Sequence, residues 1–513
     1  MIDSPLFLAV DSGTQSTRAI LFDRSGAVHS VGRHTHPALS NPAPGALEQN
    51  AYDILDAVAK SIRACVDCWI GDRSRIVGGA LTTQRVTTVP TLDNGEPAAP
   101  AINWLDRRLA RLDMDQDPLV RWFYALFGRH MTLGQILSRS IPRQVHQRDP
   151  HLFDRVRWFL PIEGWLHLKM VGTAAIAPGG ATGVLPLDVK KRNWSQSAVL
   201  HRLVGIDPRR LPPIVEVGKR IGGVTAHFSS LSGLPEGFPF YACGGDKQAE
   251  ALGGGVRSSQ RNLAGISLGT ASSICLIDRK PHQHSGFEWF CAPACEPDAW
   301  THEYMLFRGM WTVRWFAREL GRDLEGEARA SKKAVETLLC EEAAEVAAGS
   351  EGVVTWPRWS PTLQFPTETG MTIGLRERHG RAHLFRSLIE GIGFDLRKGR
   401  DTLESGLGRK IERARVGGGG SRSPFIVRCL ADILGIPIEH PDEEELAARG
   451  AAIVAAFGSG AFASIDEAVK HMVPDAKIIE PYPANTRIYD KTFREVYVPG
   501  LASLRKVAAP IAQ

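Results

Sequence analysis

A chain of 513 residues exceeds the ~250–300 at which a single core stops growing, so two domains of ordinary size are expected. With 43% hydrophobic and 23% charged residues it reads as a globular protein able to bury sizeable cores. The formal net charge of +5 arises from 61 basic and 56 acidic residues without long basic blocks, which argues against a nucleic-acid partner while suiting an anionic substrate. No run approaches the ~18–20 apolar residues of a membrane span. The N-terminus lacks a basic region followed by a full apolar stretch, so a cytoplasmic protein with no membrane partner is expected. Eight cysteines, at 65, 68, 243, 275, 291, 295, 340 and 429, read as thiols of a reducing compartment. Cys65-x2-Cys68 and Cys291-x3-Cys295 could be halves of a zinc site, but the first pair falls in an amphipathic helix pattern of about 51–70 and no tight His cluster accompanies them.

In chain order, Leu6-Phe-Leu-Ala-Val10 and Arg18-Ala-Ile-Leu-Phe-Asp23 flank Asp11-Ser-Gly-Thr-Gln-Ser-Thr17, a β-hairpin pattern with a Gly/Ser/Thr loop. Gly13 permits close backbone approach, the hydroxyls of Ser12, Thr14, Ser16 and Thr17 are donors, and Arg18 is a fixed cation, so the loop has the makings of a phosphate cradle. Asp11 at the strand end could hold a hydrated Mg²⁺; a polar turn that binds nothing is the alternative. A buried strand at Ile76-Val-Gly-Gly-Ala-Leu81 delivers the polar cluster Thr82-Thr-Gln-Arg-Val-Thr-Thr88. Beyond it, Trp104, Asp106 and Arg107 suit one wall of a sugar site, where an aromatic face packs on C–H groups, or else a solvated helix start. Residues 115–177 read as mostly helical.

Near the midpoint, Phe238-Pro-Phe-Tyr-Ala-Cys-Gly-Gly-Asp-Lys-Gln248 is a strand that turns at Gly244-Gly245 into a small-residue helix. Asp246 there is a candidate base at a strand end, or a helix N-cap. Leu268-Gly-Thr-Ala-Ser272 then echoes Asp11-Ser-Gly-Thr-Gln15, and two such hairpins suggest a duplicated domain gripping phosphates between its halves. Met310–Leu320 and 383–403 read as helices, and 370–375 as a short strand. Ala414-Arg-Val-Gly-Gly-Gly-Gly-Ser421 runs from strand to helix through four glycines, leaving bare backbone for a flat group such as adenine, or simply a tight connection. No Walker-type phosphate loop is present, and Gly458-Ser-Gly-Ala-Phe-Ala463 follows an Ala-rich helix rather than a strand, which disfavours a dinucleotide site.

Taken jointly, Asp11–Arg18, Gln84-Arg85 before Ala101–Arg108, Gly244-Gly-Asp246, Ser267-Leu-Gly-Thr270, Gly370–Leu375 and Val416–Ser421 resemble the FGGY carbohydrate kinases, the family of glycerol kinase, xylulokinase and ribulokinase. The resemblance spans about residues 5–480. It implies an α/β protein of two ribonuclease-H-like, actin-like ATPase domains with a cleft between them, about 1–250 on the sugar side and 251–513 on the ATP side. It further implies Asp246 as the base that accepts the proton of a sugar hydroxyl, with Asp11 and Asp246 partnering Mg²⁺. Thr14, Gln15, Ser16 and Arg18 would line one phosphate loop and Gly269 and Thr270 the other, with Gly419, Gly420 and Ser423 on the adenosine side. Gln84, Arg85, Trp104, Asp106 and Lys247 would face the acceptor. The helix N-terminus would hold Asp246 ionised.

The expected partners are ATP, Mg²⁺ and a small sugar or polyol, with a homodimer left open. Glycerol kinases follow Gln-Arg with a Glu; Val86 stands here, which disfavours glycerol, and the Trp104-Leu-Asp-Arg-Arg108 run with Asp106 suits a longer polyhydroxy acceptor, a ketopentose above others. The runs at Trp356–Pro361 and Ala181–Val184 also depart from the family pattern, and keep an autoinducer-2-type acceptor in view. A non-enzymatic actin-like protein would share the hairpins without the Arg85, Trp104, Asp106 and Asp246 set.

Overall fold

The computed structural model describes residues 4–111, 137–183, 186–283, 288–360, 368–441 and 445–508. Its first sheet is built from β1 (Leu6–Ser12), β2 (Ser16–Asp23), β3 (Val28–Thr35), β4 (Ile76–Thr83), β5 (Arg220–Gly223) and β6 (Pro239–Gly245), in the order β5-β6-β4-β1-β2-β3. β1, β2 and β3 form an antiparallel meander; β4 runs parallel to β1, and β6 parallel to β4. The first two strands close through a turn in which Gly13 N–H donates to Ser16 O at 3.1 Å. Every residue of β1 is buried, because both faces of the sheet are covered. Leu6, Leu8 and Val10 pack on the side of α1 (Ala51–Cys68), whose N-cap Asn50 accepts the Tyr52 N–H. Phe7 and Ala9 face the opposite layer. This two-sided burial is why β1 reads as a continuous apolar run rather than an alternating one.

The second sheet repeats the plan with β7 (Leu263–Leu268), β8 (Ser272–Asp278), β9 (Phe290–Pro293), β10 (Trp300–Leu306), β11 (Arg413–Gly417), β12 (Ile438–Pro441) and β13 (Ala476–Ile479). Their order is β9-β10-β8-β7-β11-β12-β13. β7, β8 and β10 are the antiparallel meander, and β11 and β12 add parallel. The two hairpins inferred as a duplication therefore occupy equivalent places, β1–β2 and β7–β8.

Some stretches differ from expectation. Of residues 115–177, those up to 136 lie outside the described residues. The rest includes helices at 141–148 and 150–155 and α2 (Ile162–Val171), but Trp158–Pro161 is a strand. That apolar segment pairs with Thr88–Thr91, with Leu160 opposite Val89, and completes a four-stranded side sheet. Val184 and Pro361, in the two departing motifs, also lie outside the described residues.

The halves interlock. α3 (Asp246–Gly253) leads out of β6, and the second half supplies α4 (Gly309–Leu320), α5 (Arg381–Leu407), α6 (Pro424–Leu434) and α7 (Leu446–Gly458). Although α7 belongs to the second half of the chain, it packs against α3 and under β1. It shares a core with Phe7, Ala9, Ile20, Phe22, Ala80 and Cys243 of the first sheet. A Cβ on Gly450 would stand 2.0 Å from Ala249 O, and one on Gly253 would stand 1.9 Å from Leu446 O, so the two helices meet backbone to backbone. Gly450→Leu is expected to destabilise the protein by about 1–3 kcal/mol or more, since a close-packed seam cannot absorb the added volume. A urea unfolding midpoint equal to that of the wild type would contradict the contact.

Candidate functional site

β6, β4 and β1 are adjacent and parallel, so their carboxyl ends open on one edge, the position at which α/β sheets bind ligands. Register fixes what is delivered there: Asp11 lies opposite Thr82, Gly244 opposite Thr82, and Gly245 opposite Thr83. Thr82 Oγ1 donates to Gly244 O at 2.8 Å and ties the strand ends together. Gly244 has φ +125°, a conformation closed to ordinary side chains, and Gly179 and Cys295 pack where a side chain would begin. From this turn Asp246 emerges as the first residue of α3. The N-cap is Gly245, and the Asp246 Oδ1 atom accepts the N–H of Lys247 at 2.8 Å.

Arg85 follows β4 and stands beside that carboxylate, with Nε 3.8 Å from Asp246 Oδ1 and Nη1 3.1 Å from Glu303 Oε2 on β10. Burial alone would lower the pKa of Arg85, but Glu303 and Asp246 outweigh it and hold the guanidinium charged. Burial also raises the pKa of Asp246, against Lys247 and Arg85, which pull it down. The net direction is upward, so the helix N-terminus does not keep this carboxyl at an ordinary acidity. A carboxylate with a raised pKa is better matched to accepting a proton at pH 7.

Asp11 is pushed up to about 7, chiefly by burial; Arg18 opposes this, and Asp246, Glu445 and Glu250 add to it. Arg18 Nη1 lies 3.3 Å from Asp11 Oδ2 and 3.2 Å from Glu445 Oε2. Carboxylates crowded around Asp11 that raise its pKa fit a dication that would relieve them. Mg²⁺ is an ion that takes one or two carboxylates and fills its shell with water and phosphate oxygens; among the described residues no group of three or more His, Cys, Asp or Glu is arranged to hold a metal.

The wall expected for the acceptor is bonded to the first hairpin. Trp104 Nε1 donates to Thr14 Oγ1 at 2.9 Å, and Thr14 Oγ1 donates to Gln84 Oε1 at 2.9 Å. Gln49 completes the network: its Oε1 accepts from Gln84 Nε2 and Asn103 Nδ2, and its Nε2 donates to Thr14 O. The Gln84 amide is thus taken up by protein partners. Asp106 is likewise engaged by the Leu47 N–H and by Arg108, with its side chain 4% exposed. Its contacts order the loop behind Trp104. Gln15 is exposed and its carbonyl accepts the His36 N–H, while Ser16 begins β2.

In the second hairpin, Gly269 O and Thr270 O accept the N–H groups of Met310 and Trp311 at the start of α4. The glycine run lies against this loop. Gly418 has φ +84°, and a Cβ there would come 2.9 Å from the Leu268 carbonyl carbon, whereas a Cβ on Gly419 would meet nothing within 4 Å. Gly420 faces Leu268 and Met310, and Ser423 caps α6 by accepting the Ile426 N–H. Lys247 reaches this side, with Nζ 2.6 Å from Ser267 Oγ. Glu303, Glu250, Glu445, Gln49 and Asn103 were not singled out by sequence reasoning.

Strand ends and duplicated hairpins of this kind define the class, a two-domain, actin-like ATPase fold. A gluconate kinase structure from Lactobacillus acidophilus superposes with a TM-score of 0.84 at 19% identity, covering 99% of this chain and 100% of that one. In sequence, the xylulose kinase of Lactococcus lactis is 27% identical over 95% of this chain and 95% of its own length. The autoinducer-2 kinase of Klebsiella pneumoniae is also 27% identical, over 94% and 91%. Residues 6–253 match the N-terminal domain and residues 264–459 the C-terminal domain of the FGGY family of carbohydrate kinases, and the chain belongs to that family.

The raised pKa of Asp11 has a thermodynamic sign. Its stabilising contribution is full below the unfolded value of 3.8 and is lost as pH rises through about 7. Without Mg²⁺, Asp11→Asn is therefore expected to be more stable than the wild type above pH 7, by up to about 4 kcal/mol, with the gain shrinking toward pH 4. Equal melting temperatures at pH 8 would contradict the burial of this charge.

Proposed function

We propose that this carbohydrate kinase transfers the γ-phosphoryl group of ATP to a hydroxyl of a ketopentose, as xylulokinases and ribulokinases do. The observation that carries the reading is the Asp246 carboxylate beside Arg85, at strand ends that also present Asp11. The acceptor hydroxyl gives its proton to Asp246 as its oxygen attacks the γ-phosphorus. Arg18 and the Thr14–Ser16 loop hold one side of the phosphates, and Gly269-Thr270 the other. Asp11, with Asp246 nearby, would hold Mg²⁺, which supplies charge neutralisation for a loose transition state when bound. The open face at Gly419 receives the adenosine end.

Val86 supports a ketopentose over a triol. It has φ +71°, a strained conformation for a β-branched residue, and its methyls lie against Gly183. It presents carbon where a glycerol kinase has a carboxylate. In this reading Arg85 and Trp104 touch the acceptor, while Gln84 and Asp106 hold the wall in place. The autoinducer-2 kinase likeness keeps that acceptor type as a second reading.

A panel of ketoses, polyols, aldoses and an autoinducer-2-type acceptor, read by coupled ADP release, is expected to give the highest kcat/KM with a ketopentose; turnover restricted to another class would overturn the acceptor. Asp246→Asn is expected to lower kcat by about 10²–10⁴-fold with nucleotide affinity retained. Arg18→Ala is expected to weaken ATP binding, checked by calorimetry.

A further inference from the structure

Lys247 follows Asp246 directly, and its ammonium does not turn to the Trp104 wall. Nζ donates to Ser267 Oγ at 2.6 Å and to Glu250 Oε2 at 2.8 Å, and Ser267 Oγ also donates to Glu250 Oε2 at 2.9 Å. These groups form a closed triangle across the seam between the halves, since Lys247 and Glu250 lie on α3 and Ser267 on β7. Nζ also stands 3.4 Å from the point where a side chain at Gly269 would begin, so the glycine leaves nothing between the ammonium and the second phosphate hairpin. A lysine carries three N–H donors. The triangle takes up two of them, and the side chain keeps 23% of its surface exposed. Of the other cations at the strand ends, Arg18 pairs with Asp11 and Glu445, and Arg85 with Glu303 and Asp246.

We propose that Lys247 is a catalytic residue that acts on the phosphoryl group in flight rather than on the acceptor. The proposal rests on the ATP-dependent reading above. As the acceptor oxygen bonds to the γ-phosphorus, its proton passes to Asp246. The bond from that phosphorus to the β,γ-bridging oxygen breaks, its electron pair leaving with ADP. Lys247 keeps its proton throughout and donates the third N–H to a non-bridging oxygen of the transferring group, where charge must be held in a loose transition state. Ser267 and Glu250 fix the ammonium beforehand, so no reorganisation is needed when the charge moves.

The test is binding of Mg·ADP with and without aluminium fluoride, a mimic of the phosphoryl group in transfer, by calorimetry on the full chain. Lys247→Met is expected to bind Mg·ADP within about twofold of the wild type and to lose the tightening by fluoride, and kcat should fall about 10²–10³-fold with the acceptor KM unchanged. Lys247→Gln serves as a second variant should the first not fold. Fluoride tightening retained in the folded variant would overturn the proposal, as would a raised acceptor KM with kcat intact. A wild type that bound no Mg·ADP would overturn the nucleotide reading and this one with it.

Discussion

The site depends on a contact that contains no side chains. Where Gly450 meets the carbonyl of Ala249 and Gly253 meets that of Leu446, the backbones of α7 and α3 touch. Native interiors are dense and transmit small displacements, so this seam fixes the axis of α3 and with it the carboxylate at its first turn. The alanines of α7 serve the same end, filling the layer beneath β1 without holding the helices apart. A carboxylate at a helix start is only as well placed as its helix, and for a group that acts on substrate a positional error of about 1 Å can cost ~10²-fold in rate.

Above that seam, polar groups take over the task of alignment. The Trp104–Thr14–Gln84–Gln49 network makes the Trp104 segment and the first hairpin loop one unit. Arg85 reaches from the first half to Glu303 on the second, and Lys247 reaches to Ser267. Charged groups on both sides of the cleft are thus satisfied by the opposite half, which favours the arrangement in which the two hairpins face one site. The crowded carboxylates around Asp11 work in the other direction, holding unfavourable charge that a cation would relieve.

Much of this was legible in the residues. Both hairpins, the strand into Asp246 and the Gly-rich turn have local signatures, because turns that need bare backbone need glycine wherever they occur. The duplication was legible for the same reason. What escaped was long-range. Glu303 and Glu445 acquire meaning only from partners far away in the chain, Arg85 and Arg18. Asp106 and Gln84 have the chemistry of acceptor ligands, and only the fold reveals the Leu47 amide and the Gln49 side chain that engage them. The strand at Trp158–Pro161 is set by its pairing with Thr88–Thr91 rather than by its own pattern.

The passage of α7 beneath β1 also orders events in time. Phe7, Ala9, Ile20, Phe22 and Ala80 are made early, yet the helix that covers them begins at Leu446. At ~5–20 residues per second of synthesis, that apolar face waits roughly 20–70 s for its cover. The first half therefore emerges from the ribosome with one side of its sheet lacking α7, its core there held only by nearer residues such as Ala249 and Leu252. Its safe passage rests on whatever shields apolar surface during translation, and truncation ahead of α7 would leave the N-terminal half exposed along its outer layer.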